Sequence, residues 1–473
     1  MELGKLNQYL AQYWDNEILP TLTEYVKIPC ESPAFDKNWS ASGHMEQAIQ
    51  LAYNWVAGQQ VPGCKLEILR DGERTPVLFA EIEATSEGNE ENSVLIYGHL
   101  DKQPPMTGWR EGLSAWNPVL DEQGRLYGRG GADDGYSVFA AVAAIKALKE
   151  SGTPHARMVL LIECSEESGS PDLPAYLKKY SDRFGNIDLV VALDSGCGNY
   201  DQLWSTTSLR GLLEVTLQID VLAEGVHSGI AGGITPSPFT IARQLLDRVE
   251  DTRTGKVIVP ELMGDIPSAR VEQAGVAAQV LGGEITSQFP FLEGVQPLDD
   301  NYTELLLNNS WRPSLAITAQ EGIPKLGEGG NVVHPSLKLK LSFRLPPNVI
   351  PSAAGEAVKQ RLLAEPPFGA KVQVTAGGMQ GWDAPPLAGW LEEATNKASL
   401  EVFGQEACYF GLGGTIPFMQ MIGEQFPEAQ FLITGVLGPH SNAHGPNEFL
   451  HVPYAKKLTA CLNRILSEHQ QQR

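Results

Sequence analysis

The sequence has few cysteines and no cysteine motif. Its six cysteines are far apart, with neither a CxxC pair nor the density of a secreted disulfide scaffold, so we expect reduced, mostly buried thiols. No apolar run approaches the length of a membrane-spanning helix. The N-terminal segment also lacks the basic start and apolar core of a signal peptide. These absences predict a cytoplasmic protein with no membrane partner.

Basic residues are scarce as well. Lys and Arg number 35 against 57 Asp and Glu, which gives a formal net charge of -22. Such a surface repels phosphate backbones, so no nucleic-acid partner is expected. The GxSxG, P-loop and HExxH motifs are absent too, which argues against three other classes of hydrolase. At 473 residues, the chain exceeds what a single core usually supports, and two domains are expected.

Short apolar runs alternate with helical patterns before residue 200. Runs at 76–80, 94–97, 158–162 and 189–193 are typical of strands buried on both faces. A helical stripe from Val138 to Leu148 ends before Gly152. This alternation predicts an α/β domain whose sheet is covered by helices.

The pattern changes near residue 210. Apolar and polar residues alternate at 213–221 and again at 337–345, and a helical stretch follows each strand, at 237–249 and 352–363. We interpret these as an inserted α+β domain, 208–379, with an antiparallel sheet, whereas 1–207 and 380–473 form the first domain. Residues 251–312 are hard to assign.

Acidic residues and a histidine follow the predicted buried strands of the first domain. His99 and Asp101 follow one strand, Glu166 and Glu167 another, and Asp194 a third. Strand ends are where α/β proteins build sites, and adjacent carboxylates repel each other unless a metal relieves one of them. Taken singly, a structural histidine or a solvated acidic turn would explain each motif.

Two further motifs offer ligands. Asp133 and Asp134 precede the helix that starts near Tyr136, where one of them could bridge two cations or simply cap the helix. Among the loop histidines, His444 could reach a distant metal, whereas His227 could be a surface residue.

In order along the chain, GHLD, GRGxxDD, EESGS, ALDSG, HSG and HxxNE resemble the di-zinc ArgE/DapE/carnosinase family of metallopeptidases and deacylases, which includes the aminoacylases and carboxypeptidase G. The resemblance spans nearly the whole chain. GHLDKQP, with Trp109, Trp116 and Pro118, is closest to the carnosinase-like branch of non-specific dipeptidases. One departure is Gly135, where the family usually has Lys.

The resemblance implies a zinc-peptidase catalytic domain with a mixed, largely parallel sheet, and an inserted lid and dimerisation domain. It implies two Zn²⁺ per subunit, with Mn²⁺ or Co²⁺ as substitutes. Asp133 would bridge the two ions, although Asp134 stays an alternative. The implied roles are metal ligation by His99, Asp133, Glu167, Asp194 and His444, catalysis by Glu166 with Asp101 and His227, and substrate binding by Asn331, Arg344, Gly414 and Thr415.

The implied reaction is the hydrolysis of dipeptides or short peptides by a water between the metals, with Glu166 as general base. Asp rather than Glu at position 194 favours dipeptidase or aminopeptidase activity in this family. His227 would stabilise the oxyanion in cis or, in a homodimer formed by the lid domain, in trans. The alternatives are an N-acyl amino acid deacylase or carboxypeptidase of the same family and a metal-free binding protein on the same fold.

Overall fold

The computed structural model describes residues 3–85 and 92–471 and divides the chain into two compact units. The described residues do not include 1–2 and 472–473, which are the ends of the predicted first domain, or segment 86–91. The first unit comprises residues up to Thr206, Ala384–Phe410 and residues from Pro417 onward, and the second comprises Thr207–Asp383 and Gly411–Ile416. Segment Gly411–Ile416 therefore belongs with the second unit, although the sequence prediction assigned it to the first. None of the described helices is both long and apolar enough to cross a membrane.

The first part of the chain alternates helices and strands, as predicted. A π-helical turn, Trp14–Ile18, separates the first two helices. The helices are α1 Leu3–Tyr13, α2 Leu19–Val26, α3 Trp39–Ser42, α4 His44–Gly58, α5 Tyr136–Glu150, α6 Leu173–Lys179 and α7 Ser181–Phe184. The strands are β1 Cys64–Leu69, β2 Val77–Ile82, β3 Ser93–His99, β4 Val119–Leu120, β5 Arg125–Tyr127, β6 Arg157–Glu163, β7 Ile187–Ala192 and β8 Trp204–Leu209.

The next part of the chain contains a long antiparallel sheet and its helices. Its strands are β9 Gly211–Asp220, β10 Val226–His227, β11 Glu250–Asp251, β12 Lys256–Val257, β13 Ser314–Glu321, β14 Val332–Val333, β15 Ser336–Leu345, β16 Lys371–Met379 and β17 Trp382–Asp383. Its helices are α8 Ser228–Ala231, α9 Pro238–Leu246, α10 Ser268–Leu281, α11 Glu284–Ser287, α12 Tyr302–Ser310 and α13 Pro351–Leu363.

Apart from Gly411–Ile416, the C-terminal part returns to the first unit. Its elements are α14 Gly389–Phe403, β18 Cys408–Leu412, α15 Pro417–Gln425, β19 Gln430–Ile433, β20 Phe449–His451 and α16 Val452–His469.

The main sheet of the first unit has the order β1-β2-β6-β3-β7-β19. β6, β3, β7 and β19 run parallel, whereas β1 and β2 pair antiparallel at one edge. Every residue of β3 is buried, and α5 packs against it with an almost wholly buried apolar surface. A strand buried on both faces is what a continuous apolar run predicts. The predicted mixed, largely parallel sheet is confirmed.

The second unit contains a four-stranded antiparallel sheet of order β13-β15-β9-β16. Buried and more exposed residues alternate along β9 and β15, so the sheet buries one face, against which α9 and α13 pack. The predicted antiparallel sheet with helices on one side is confirmed. β13 lies at the sheet edge, and its last six residues are exposed.

Candidate metal centre

Three neighbouring strands of the first unit end at one edge of the sheet. β3 lies between β6 and β7 and pairs in parallel with both. His99 is the last residue of β3, Asp194 follows β7, and Glu166 and Glu167 begin a short 3₁₀ turn after β6. Because the carboxyl ends of parallel strands meet at the same edge, the fold brings these side chains together.

Asp133 and Asp134 lie in a tight turn, Gly131–Gly135, directly before α5. Both carboxylates are buried, and the peptide bond that joins the two residues is cis. A Cβ atom on Gly135 would lie 2.1 Å from Cε1 of Tyr25. The ring of Tyr25 therefore occupies the space beside Gly135, and any side chain at this position would have to displace it.

Two groups of potential metal ligands share Asp133. Nε2 of His99 lies 3.3 Å from Oδ1 of Asp133 and 3.8 Å from Oδ2 of Asp194. Nε2 of His444 lies 3.0 Å from Oδ2 of Asp133 and 3.5 Å from Oε2 of Glu167. In each group the three donor atoms all lie within 4.8 Å of one another. A carboxylate that presents one oxygen to each group can bridge two cations.

The donor atoms fit divalent cations. One imidazole nitrogen and two carboxylate oxygens form each group, and zinc is commonly bound by such ligands. Nε2 of His99 and Oε1 of Glu167 are buried and have no hydrogen-bond partner among the described residues. Buried polar atoms are nearly always partnered, so these two atoms mark positions where a cation would complete the structure.

Asp101 orients His99 and connects two strand ends. Nδ1 of His99 lies 3.0 Å from the backbone oxygen of Asp101 and 3.4 Å from its Oδ1. The same carboxylate accepts hydrogen bonds from the backbone N–H groups of Glu166, at 3.1 Å, and Glu167, at 2.9 Å. With Nδ1 engaged in this way, Nε2 of His99 is directed toward the ligand group.

Asp134 has a different environment from that of Asp133. Its Oδ2 accepts a hydrogen bond from the backbone N–H of His99 at 3.2 Å. Burial, and then the charge of Asp194, raises the pKa of Asp134 well above its usual range. Asp133 belongs to both ligand groups, whereas Asp134 belongs to neither.

The crowding of buried acids perturbs the pKa of each ligand. Burial, followed by the charge of Asp133, raises the pKa of Glu167 to about 8. Burial raises the pKa of Asp194 to about 6, although His99 opposes the shift. For His444, partial burial lowers the pKa, but the carboxylate of Asp133 outweighs this effect and raises the pKa to about 9. Bound cations would relieve this repulsion between carboxylates.

Glu166 is also perturbed. Burial, and then the charge of Asp194, raises the pKa of its carboxyl group well above the ordinary value, with Glu167 contributing in the same direction. Its backbone is held by Asp101, yet its side chain belongs to neither ligand group. An acid beside the ligands that is not itself one of them is available to accept a proton.

Three further residues around these candidate ligands make contacts that the sequence did not predict. Nε2 of Gln103, in the GHLDKQP motif, donates to Oε2 of Glu167 at 2.5 Å. Arg129 of the GRG motif forms a buried ion pair with Glu448 of the HxxNE motif. Gln103, Arg129 and Glu448 all lie within motifs of the family resemblance, but no feature of the sequence indicated their contacts.

In the second unit, His227 and Asn331 are neighbours. β10 and β14 pair His227 with Val332, and the backbone N–H of Ser228 donates to the backbone oxygen of Asn331 at 2.8 Å. The side chain of His227 is exposed, and its Nδ1 accepts a hydrogen bond from the N–H of Gly229 at 3.0 Å.

Arg344 and Thr415 are also together in the second unit. Nη1 of Arg344 donates to Oγ1 of Thr415 at 3.2 Å, and the Thr415 hydroxyl donates to the backbone oxygen of Arg210 at 2.5 Å. In the described part of the chain no ion pair joins Arg344 to a carboxylate. Burial lowers the pKa of its guanidinium group, and the charge of Glu214 opposes that shift. Gly414 precedes Thr415, and a Cβ atom there would meet open space.

Known proteins resemble the chain over three quarters of its length or more. It is 26% identical to rat Beta-Ala-His dipeptidase over 99% of this chain and 96% of the relative. It is 27% identical to Cysteinylglycine-S-conjugate dipeptidase of Corynebacterium striatum over 77% of this chain and 79% of the relative. The crystal structure of human carnosine dipeptidase 1 has the same fold, with a TM-score of 0.80 at 23% identity, covering 100% of this chain and 99% of that one.

The sequence pattern of peptidase family M20/M25/M40 matches residues 95–468. This range contains every candidate ligand, part of the first unit and the whole second unit, so the resemblance inferred from the ordered motifs is confirmed. The expectation of a metal-dependent hydrolase of amide bonds is confirmed with it. The chain is an enzyme of peptidase family M20/M25/M40.

Proposed function

We propose that this enzyme hydrolyses the amide bond of dipeptides or short peptides. The observation that carries the proposal is the pair of ligand groups that share Asp133 at the carboxyl edge of the sheet. Relatives that align with almost the whole chain are named Beta-Ala-His dipeptidases, and another is named a cysteinylglycine-S-conjugate dipeptidase. Aspartate at position 194, which the resemblance associates with dipeptidases and aminopeptidases, supports the same substrate class.

The proposed cofactors are two Zn²⁺ ions, with Mn²⁺ or Co²⁺ as substitutes. His99 and Asp194 would hold one ion, Glu167 and His444 would hold the other, and Asp133 would contribute one oxygen to each. When bound, such ions polarise a substrate carbonyl and lower the pKa of a nearby water molecule.

Glu166 is proposed as the general base. Its carboxylate would take the proton from the attacking water and deliver it to the leaving amine. Burial, and then the charges of Asp194 and Glu167, raise the pKa of Glu166, and a higher pKa makes its carboxylate a stronger proton acceptor. Asp101 supports this role by accepting the backbone N–H of Glu166 and the N–H of the next residue.

The second unit is proposed to bind the substrate. Arg344 carries a positive charge with no ion-pair partner in the described residues, and the hydroxyl of Thr415 lies 3.2 Å from its Nη1. A guanidinium group and a hydroxyl together suit the free carboxylate at the end of a short peptide. Gly414 would allow the substrate to approach the backbone closely, and the amide of Asn331 would add a polar contact.

His227 is proposed to stabilise the oxyanion that forms when water attacks, in a homodimer built through the second unit. The exposed imidazole of His227 is free to reach a ligand. Large apolar side chains are also exposed on this unit, and such surfaces are typical of contacts with a second copy. They include Ile230 at 74% exposure, Ile234 at 81%, Leu292 at 78%, Leu298 at 81% and Leu326 at 103%.

A substrate panel tests the proposed function. Zinc-loaded enzyme is offered unblocked dipeptides, tripeptides, and N-acetyl and N-succinyl amino acids, and amine release is measured. We expect dipeptides to be the fastest class and chelated enzyme to be inactive. Faster cleavage of the N-acyl amino acids would show a deacylase instead. A protein that binds two zinc ions but cleaves no member of the panel would contradict the proposal.

A further inference from the structure

The loop that carries His444 has an unusual backbone. His440, Asn442, His444 and Asn447 all have positive φ values, of 63°, 53°, 66° and 63°. L-residues with side chains rarely adopt this left-handed conformation, and each such residue costs free energy that the surrounding structure must supply. The side chain of His444 is also 54% exposed, so packing does little to hold the imidazole. Other contacts must therefore fix this loop.

Arg129 supplies those contacts. It is 1% exposed and uses its guanidinium group to hold three different parts of the chain. Nη2 donates to the backbone oxygens of His444, at 3.0 Å, and Gly445, at 2.8 Å. Nε donates to the backbone oxygen of Pro104 at 3.1 Å, and Nη1 pairs with the buried carboxylate of Glu448. Only the planar fork of an arginine can make all these bonds at once.

Glu448 extends the same network to the turn that carries Asp133. Its Oε1 accepts the N–H of Gly130 at 2.9 Å, and its backbone oxygen accepts the N–H of Gly128 at 3.0 Å. The ion pair thus connects the His444 loop to the segment just before Asp133. Asp133 and His444 must keep their relative position, since Oδ2 of Asp133 lies 3.0 Å from Nε2 of His444.

The other ligand group is positioned differently. His99 ends a buried strand, its backbone N–H is bound by Asp134, and its Nδ1 is engaged by Asp101. Asp194 follows the neighbouring strand β7. None of these hydrogen bonds involves Arg129 or Glu448, so damage to the ion pair should leave His99 and Asp194 in place.

We propose that Arg129, with Glu448, is a positioning residue for His444, so that binding of one of the two metal ions depends on this buried pair. This inference rests on the proposed di-metal centre. The affected ion is the one held by Asp133, Glu167 and His444. Residues that orient metal ligands in this way typically alter metal affinity by roughly 10- to 100-fold when changed.

Arg129→Lys tests the inference. Lysine keeps the positive charge beside Glu448 but lacks the fork that reaches the backbone oxygens of His444 and Gly445. Arg157→Lys is a matched control, because Arg157 also pairs with a carboxylate, that of Glu81, and donates to two backbone oxygens. Apo protein is titrated with Zn²⁺, and the zinc content is measured after gel filtration.

We expect two zinc ions for the wild type and for Arg157→Lys. For Arg129→Lys we expect one tightly held ion and a second whose affinity falls by roughly 10- to 100-fold. Glu448→Gln should weaken the same second ion. Unchanged affinity in Arg129→Lys, loss of both ions, or failure of Arg129→Lys to fold by circular dichroism would each overturn the inference. Fewer than two ions on the wild type would instead overturn the proposed metal centre.

Discussion

Oδ2 of Asp134 accepts a hydrogen bond from the backbone N–H of His99 at 3.2 Å. Asp134 thus holds the end of β3, while its neighbour Asp133 presents both oxygens to the ligand groups. These two adjacent aspartates therefore have different roles. Asp134 holds the end of the strand that carries His99, and Asp133 would itself be a ligand to both proposed ions.

These different roles predict different outcomes for replacing each aspartate with the isosteric asparagine. Asp133→Asn should weaken binding of both zinc ions, because an amide has no charge to share between them. Asp134→Asn should retain both ions, since burial and Asp194 already raise the pKa of Asp134 and favour its neutral form. Asp134→Asn should lower only the free energy of unfolding, by about 1–3 kcal/mol, because it perturbs a buried hydrogen bond. Zinc content and thermal unfolding distinguish the two, and loss of zinc only from Asp134→Asn would reverse the assignment.

Glu166→Gln should keep metal and lose turnover. The amide is nearly isosteric, so its backbone bond to Asp101 should survive, but it cannot accept a proton. General acid–base catalysis contributes about 10²- to 10⁴-fold, and kcat should fall by that amount while zinc content stays at the wild-type value. Exposed Glu111 provides the control variant Glu111→Gln. Near wild-type kcat in Glu166→Gln would exclude this residue as the base.

Much of this architecture could be predicted from the sequence, because the signals are local. The apolar runs correctly located β2, β3, β6 and β7, and the strand ends indicated which acids would meet. Helix α10 was not predicted, since it buries mainly small alanines while Val271, Val276 and Val280 are exposed. Its apolar side chains therefore do not form the single stripe that identifies a helix.

Contacts between distant segments could not be predicted. Arg129 and Glu448 are 319 positions apart. The residues around each of them fit an exposed charged side chain equally well. Segment Gly411–Ile416 joins the second unit through contacts such as the bond between Arg344 and Thr415. Such contacts form only when the chain folds, whereas hydrophobic periodicity indicates only which face of a helix or strand is buried.

Removal of metal should destabilise the protein. Without cations, the buried carboxylates repel one another, so any ion that binds only the folded state adds stability. Zinc at 100 times its Kd should contribute about 2.7 kcal/mol for each independent site. A higher Tm with zinc than with chelator, measured by calorimetry, is the expected result, and an identical Tm would contradict it.

Zinc affinity should also rise with pH. The pKa of Glu167 is raised to about 8 by burial and then by Asp133, and that of His444 is raised to about 9 by Asp133 against the effect of burial. Both groups therefore hold protons at pH 7 in the absence of metal, and both must release them to bind it. We expect proton release on zinc addition to a weakly buffered solution at pH 7. Binding without proton release would contradict these pKa shifts.

Mixing two inactive variants should show whether His227 acts within its own subunit or on the partner. His227→Ala and Glu166→Gln are each expected to be inactive. If His227 acts across the dimer, a mixed dimer contains one site with both residues intact, and equal mixing should restore about a quarter of wild-type activity. If it acts within its own subunit, no site in the mixture is complete and activity stays low. Subunit exchange is verified beforehand with two affinity tags.

Arg344→Met should distinguish substrates by their C-terminal group. The methionine side chain fills similar space but cannot bind a carboxylate, and hydrogen bonds to charged groups are worth about 1.5–3 kcal/mol. We therefore expect kcat/KM for dipeptides with a free carboxylate to fall by about 10- to 150-fold, mainly through KM. Dipeptide amides, which lack the charge, should be cleaved by the variant and the wild type at similar low rates. The exposed Arg253 provides the matched variant Arg253→Met, which should leave both substrates unaffected. An equal loss on both substrates would show that Arg344 supports the fold of the second unit rather than the recognition of a carboxylate.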